Sequence, residues 1–135
     1  MATQVRMETF PVSNLPKRVV QADGIFQIGV GVVLLLEASS IAGWLNVSGE
    51  VILIAAVIAL VSGLATLYLA QRPLNPRLLR IGALTNLAGV VIVGIILALD
   101  WNGFVNEGRW FLALLADGFL ILGVAEWYGQ RYLPH

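Results

Sequence analysis

The chain lacks the side chains that carry most redox and nucleophilic chemistry. Among its 135 residues there is no cysteine, the only histidine is His135, and the only methionines are Met1 and Met7. Without cysteine, the sequence excludes disulfides, thiol nucleophiles and iron–sulfur ligation, and without an internal histidine or methionine it offers no axial ligands for a buried haem. We therefore expect no metal, no cofactor and no enzymatic nucleophile–base pair.

Charge is also scarce. Charged residues make up 12% of the chain and hydrophobic residues 59%, whereas a typical soluble domain is about 25% charged and about 45–50% apolar. The eight basic residues balance the eight acidic ones, so there is no basic surplus of the kind that binds nucleic acid. This composition predicts an integral membrane protein whose first partner is the lipid bilayer.

Four apolar stretches are long enough to cross a bilayer, which takes about 20 mostly apolar residues. They are residues 24–45, 51–70, 81–99 and 110–128. Residues 19–128 then form the transmembrane domain, between an N-terminal tail of residues 1–18 and a C-terminal tail of residues 129–135. Because the connections are short, neighbouring spans must run in opposite directions. The predicted fold is an all-α bundle of four antiparallel transmembrane helices.

Helix-start signals stand in the breaks between these stretches. Ser48 before Gly49 predicts the N-cap of the second span, and Asn75 before Pro76 predicts the N-cap and first residue of the third. Asn106 is the corresponding candidate for the fourth span.

The basic residues predict an orientation. Seven of the eight lie in the two tails and the middle connection, namely Arg6, Lys17, Arg18, Arg72, Arg77, Arg80 and Arg131. The remaining one, Arg109, belongs to the other side of the membrane. Because cytoplasmic loops carry the excess of Lys and Arg, we expect both termini on the cytoplasmic side of the cell membrane.

The two halves of the chain resemble each other at an offset of 59 residues. At this offset Gln27 falls on Asn86 and Gly49 on Gly108. The fold is then two tandem helical hairpins, related by an axis along the membrane normal. The identities are few, and a biased composition alone also produces such matches, so duplication and chance both stay open.

Four acidic residues lie within the apolar stretches or directly beside one, and such residues are costly enough to be candidates for proton or ion binding. They are Asp23, Glu37, Asp117 and Glu126. Glu37 precedes Trp44 by seven residues and Asp117 follows Trp110 by seven, so both are expected about 10 Å below the same interface. If they face each other they could share a proton. A structural hydrogen bond and a contact to a partner subunit are the alternatives.

The other two acids, Asp23 and Glu126, are expected near the cytoplasmic ends of the first and fourth spans. Asp117 and Glu126 are nine residues apart, so they lie on opposite faces of one helix. We therefore expect Glu126 to pair with Arg80 or Arg131, and Asp23 to pair with a nearby arginine or cap local backbone.

Milder polar and small residues complete the candidate positions. Gln27 and Asn86 are the amide side chains within the spans. Small residues allow close helix contact, and they recur at Ala55, Ala59 and Gly63 in the second span and at Gly29 and Gly31 in the first. Their packing is expected either inside the bundle or at a homodimer seam.

Three functions are compatible with these features. The favoured one is a non-enzymatic structural or accessory subunit of a larger membrane complex. The alternative is a small proton- or cation-coupled transporter or channel that acts as a homo-oligomer through its intramembrane carboxylates. An enzyme acting on a lipid or quinone head group is least favoured, because near the membrane edges only Asp23, Asp100, Glu107 and Glu126 could serve as acid–base groups.

Overall fold

The computed structural model describes residues 14–133, and the regular structure within that range is entirely helical. The helices are α1 (Leu15–Leu36), α2 (Ala38–Leu45), α3 (Gly49–Ala70), α4 (Pro76–Leu99) and α5 (Asn106–Gly129). Short 3₁₀ turns follow α4 at Trp101–Gly103 and α5 at Gln130–Tyr132. All of the helices except α2 are long and apolar enough to cross a membrane. The predicted all-helical class with four candidate spans is therefore confirmed.

Two of the three predicted helix caps are confirmed. Ser48 Oγ accepts a hydrogen bond from Val51 N at 3.4 Å, and Asn75 Oδ1 accepts one from Leu78 N at 2.9 Å. The prediction for α5 is wrong, because Asn106 is the first helical residue and the cap position is Val105, which makes no side-chain cap.

The first helix begins earlier than the apolar pattern indicates. It starts at Leu15 with a proline in its first turn, where the missing N–H of proline is harmless. The last residues of the predicted tail are therefore helical, with Lys17 and Arg18 exposed and Val19 buried. The rest of that tail, with Arg6, lies outside the described residues, as do residues 134–135.

A break at Glu37 separates α1 from α2. The Glu37 backbone leaves the helical region, with φ −111° and ψ 26°. Backbone hydrogen bonds nevertheless continue through it, from Glu37 N to Val33 O and from Ile41 N to Glu37 O, both at 2.9 Å. The second helix is thus a continuation of the first beyond a kink.

The helices pack in two pairs. Helix α1 packs most extensively on α3, and α4 on α5, while α3 and α4 hardly touch. The pairs meet mainly along α1 and α5, the first and last candidate spans. Along this seam Pro16 lies near Gly129, and the Phe26 and Phe119 rings meet edge to face. Beyond the kink, Trp44 of α2 lies against Gly108 of α5.

One end of the molecule gathers most of the basic segments. Val20 of α1, Ala70 of α3 and Leu79 of α4 form a buried cluster there, against which Leu133 packs. The start of α1, the α3–α4 connection and the segment after α5 therefore lie together. These are segments in which the sequence concentrates its Lys and Arg residues.

Corresponding contacts hold each helix pair together. Gly63 of α3 lies against the carbonyl oxygen of Gly24 in α1, and Gly123 of α5 lies against the carbonyl oxygen of Ala83 in α4. Ala83 is Gly24 shifted by 59 residues, the offset of the sequence repeat. The two helix pairs therefore pack in the same way. The match is not exact, because Gly123 stands one residue later in the second pair than the 59-residue offset from Gly63 requires.

Candidate functional site: a buried carboxyl–amide network

Three long helices each contribute one buried polar side chain to a common point. Asp23 of α1 is 4% exposed, Asn86 of α4 is 6% exposed and Glu126 of α5 is 2% exposed. The Asn86 side-chain nitrogen Nδ2 donates to Glu126 Oε1 at 2.8 Å and to Asp23 Oδ2 at 3.2 Å. A single amide group thus bridges two carboxyl groups.

Gln27 extends this network to the fourth long helix. Its Nε2 donates to Asp23 Oδ1 at 2.9 Å and lies 3.5 Å from Thr66 Oγ1 on α3. Its Oε1 accepts a hydrogen bond from the Ser62 hydroxyl, also on α3. All four long helices therefore share one set of side-chain hydrogen bonds.

Helical spacing explains how the sequence assembles these groups. Asp23 and Gln27 are four residues apart on α1, as are Ser62 and Thr66 on α3, so each pair shares a face. On α4, Gly82 lies one turn before Asn86, and Glu126 Oε2 occupies the volume that a Cβ atom at position 82 would fill. The role of Gly82 was not predicted from the sequence, although a glycine one turn before the intramembrane Asn86 was a visible signal.

The predicted pairing of Glu126 with an arginine is wrong. Arg80 Nε donates to Gln130 Oε1 at 3.3 Å, and the Arg131 guanidinium lies over the Tyr128 ring. The polar partner of Glu126 is Asn86 instead. Two carboxyl groups around one neutral amide repel each other strongly if both are ionised away from water, so the arrangement is suited to hold a proton.

Glu37 and Asp117 do not join this network. Both side chains are exposed, and no hydrogen bond joins them within the part of the chain that the structure describes. Asp117 points outward because Glu126, nearly on the opposite face of α5, points inward. Of the four candidate acids, the structure brings together Asp23 and Glu126.

Asp117 lies in the middle of an apolar stripe on the outside of α5. The stripe repeats at intervals of three and four residues, and its large exposed members are Trp110, Leu114, Ile121, Val124 and Tyr128. This is the face that a transmembrane helix turns toward lipid or toward another protein.

An apolar groove runs beside this stripe, between α1 and α5. It encloses about 370 Å³ and is lined by Phe26, Gly29, Val30, Val33, Phe111, Leu114 and Leu115. Its walls are almost entirely hydrocarbon.

The small residues serve packing within the chain, with one exception. A Cβ atom on Gly63 would lie 2.9 Å from Ile28 N, and one on Gly31 would lie 3.0 Å from Leu60 N. Ala55 packs against the core formed around Ile41, and Ala59 is half-buried. Gly29 is the exception, because it faces the open groove and a Cβ atom there would meet nothing within 4 Å of the same chain.

Across residues 14–133 there is no group of three His, Asp or Glu side chains placed to hold a metal ion. Comparison of the chain with protein families, with curated proteins and with solved structures gives no match. The class that the fold itself defines is a helical protein with four candidate membrane spans.

Proposed function

We propose that the chain is a small multi-pass integral membrane protein that acts as a non-enzymatic accessory subunit of a larger membrane assembly. The observation that carries this proposal is that the four intramembrane acids form two groups with different surroundings. Asp23 and Glu126 are bonded to groups of the same chain, whereas Glu37 and Asp117 face outward from apolar helices.

An outward-facing carboxylate is expensive in lipid. Insertion scales put the cost of Asp at a helix centre at about 2.5–3.5 kcal/mol, and a polar contact from a neighbouring helix reduces it. Asp117 has this position in α5. A second polypeptide packed on that face would supply the contact that the chain itself does not.

We further propose that the protein lies in the cytoplasmic membrane of the cell. Its spans are antiparallel, and both termini are in the cytoplasm. Contacts of α1 and its continuation α2 with α5 run in reverse chain order, from Pro16 with Gly129 to Trp44 with Gly108. The basic segments gather at one end, and the positive-inside rule assigns that end to the cytoplasm.

The test is purification of the tagged full-length chain from its native membrane in a mild detergent, followed by measurement of the mass of the complex. We expect a complex that contains the chain and other polypeptides in fixed proportion. Recovery of the chain solely as a monomer would contradict the accessory role.

A second candidate function is proton binding by the Asp23–Glu126 pair, as part of proton-coupled transport. The specific observation that favours it is the contact of both buried carboxyl groups with the same Asn86 nitrogen. Proton uptake by the protein in liposomes tests it with Asp23→Asn and Glu126→Gln, and with Glu107→Gln on the exposed first turn of α5 as the control. We expect uptake to be lost in the first two variants. Equal uptake in all of them rules this function out.

A further inference from the structure

We infer that the outer face of α1 and α5, around Asp117 and the apolar groove, binds a transmembrane helix of a different polypeptide that carries a lysine or arginine at the depth of Asp117. This inference rests on the proposed accessory role and specifies the chemistry of the partner.

The position of Asp117 is the first step. It is near the midpoint of the 24-residue helix α5, between Leu114, which is 63% exposed, and Ile121, which is 67% exposed. A charged side chain with such neighbours is far from both ends of the helix. It therefore cannot reach the aqueous interface as the long side chains at helix ends do.

The groove beside Asp117 supplies the shape for a partner. Leu114 belongs both to the stripe that contains Asp117 and to the groove wall, and Gly29 on α1 keeps the groove open. Glu37, at the kink where α1 ends, follows the groove residue Val33 by four residues. A helix seated in the groove would thus pass between apolar walls with a carboxylate close by.

The carboxylate of Asp117 determines which side chain the partner helix must carry. Pairing with a cation compensates a carboxylate inside a membrane more strongly than a neutral hydrogen-bond donor does, because the two opposite charges attract each other at low dielectric constant. A lipid chain fills an apolar groove but leaves the carboxylate without a partner.

A second copy of the chain does not provide this cation. The helix α3 contains no basic residue, and in the other long helices the basic residues stand within the first few positions, as Lys17, Arg18, Arg77, Arg80 and Arg109 do. Within residues 14–133, another copy therefore offers no basic side chain near the middle of a long helix. The partner is therefore a different chain.

The test uses the full-length protein in phosphatidylcholine vesicles and labelled transmembrane peptides about 20 residues long, made of leucine and alanine. One peptide has a lysine at its centre, and the other has leucine there. Energy transfer measures their binding. We expect the lysine peptide to bind at least ~tenfold more tightly, and Asp117→Leu to remove this difference. In the control Glu107→Gln, in the first turn of α5 and ten residues before Asp117, the difference remains.

Equal affinities of the two peptides for the unaltered protein would overturn the inference and leave lipid as the occupant of the groove.

Because the chain has no cysteine, single-cysteine variants test the second-copy alternative. Oxidative cross-linking of Ile121→Cys, but not of the equally accessible Ile58→Cys on α3, would show that another copy covers this face. That result would also overturn the inference.

Purification from the native membrane separates failure of this inference from failure of the accessory role. If the unaltered chain is monomeric, the accessory role is contradicted. If its companion polypeptides persist with Asp117→Leu, the accessory role stands and the assigned face is wrong. We expect them to be lost with Asp117→Leu and retained with Glu107→Gln.

Discussion

Glu126 keeps its place in the network because residue 82 has no side chain. The carboxyl oxygen Oε2 lies where a Cβ atom on Gly82 would be, and the other oxygen accepts the hydrogen bond from Asn86. Packing space and hydrogen bonding therefore depend on each other at this point. Any group added at position 82 must displace the carboxyl from its only amide donor.

We predict that Gly82→Ala destabilises the protein by about 1–3 kcal/mol, the usual cost of adding a methyl group to a filled interior. Gly94→Ala on the same helix is the matched control, since a Cβ atom there meets nothing within 4 Å. It should be neutral or up to about 1 kcal/mol stabilising, because alanine favours helix. Unfolding in detergent followed by circular dichroism measures both. Equal stabilities of the two variants would show that Glu126 does not depend on this space.

At this scale the sequence identifies the polar residues that matter but not which of them meet. The four intramembrane acids and the amides Gln27 and Asn86 stand out because they interrupt apolar runs. Glu37 and Asp117 were predicted to lie at similar depth in the membrane, because each is seven residues from a tryptophan. Depth does not determine which face of a helix turns inward, and the structure buries Asp23 and Glu126 instead.

The helix α1 has one face that packs tightly and another that is open. Gly31 faces α3, where a Cβ atom would lie 2.7 Å from Leu60 Cγ and 3.0 Å from Leu60 N. Gly29, two residues earlier, faces the groove. Because the obstacle at Gly31 includes backbone, rotation of a side chain does not relieve it.

We predict that Gly31→Ala separates α1 from α3 and lowers stability by about 1–3 kcal/mol. Gly29→Ala should preserve stability and narrow the groove, so it is both the control for Gly31→Ala and a probe of partner binding. Thermal unfolding of the purified variants measures the first effect. A loss of stability with Gly29→Ala as large as with Gly31→Ala would contradict the assignment of the two faces.

Helix boundaries could be predicted where a local signal sets them. Ser48 and Asn75 cap α3 and α4 because their side chains reach backbone N–H groups three residues later. The kink at Glu37 has no such signal in the sequence. The backbone hydrogen bonds of the helix continue through it, so no cap residue marks a helix end there. The start of α5 at Asn106 likewise has no side-chain cap. The turn before it is bonded to the helix by Arg109, whose Nε donates to Trp101 O at 2.9 Å.

For the molecule as a whole, polarity is concentrated toward one end. The clusters around Ile41 and around Phe104 are apolar, whereas the carboxyl–amide network lies nearer the end with Pro16 and Gly129. Basic segments surround that same end. Four spans and an orientation could be predicted together, because the length of the apolar stretches and the positions of Lys and Arg can be read directly from the sequence. Which helices pack closely could not be predicted in this way, because it depends on the three-dimensional fit of small residues such as Gly63.

The orientation gives the final prediction. Gln71→Cys lies in the α3–α4 connection, and Asn102→Cys lies in the turn after α4; both positions are exposed, and each variant has a single thiol because the chain has no cysteine. In intact cells, or in spheroplasts if an outer layer blocks access, a membrane-impermeant maleimide should label Asn102→Cys, and it should label Gln71→Cys only after the cells are broken. The positive-inside rule requires this asymmetry, since Arg72, Arg77 and Arg80 follow position 71 in the chain. The reverse labelling pattern would invert the proposed topology, and labelling of both positions in sealed cells would contradict a spanning α4.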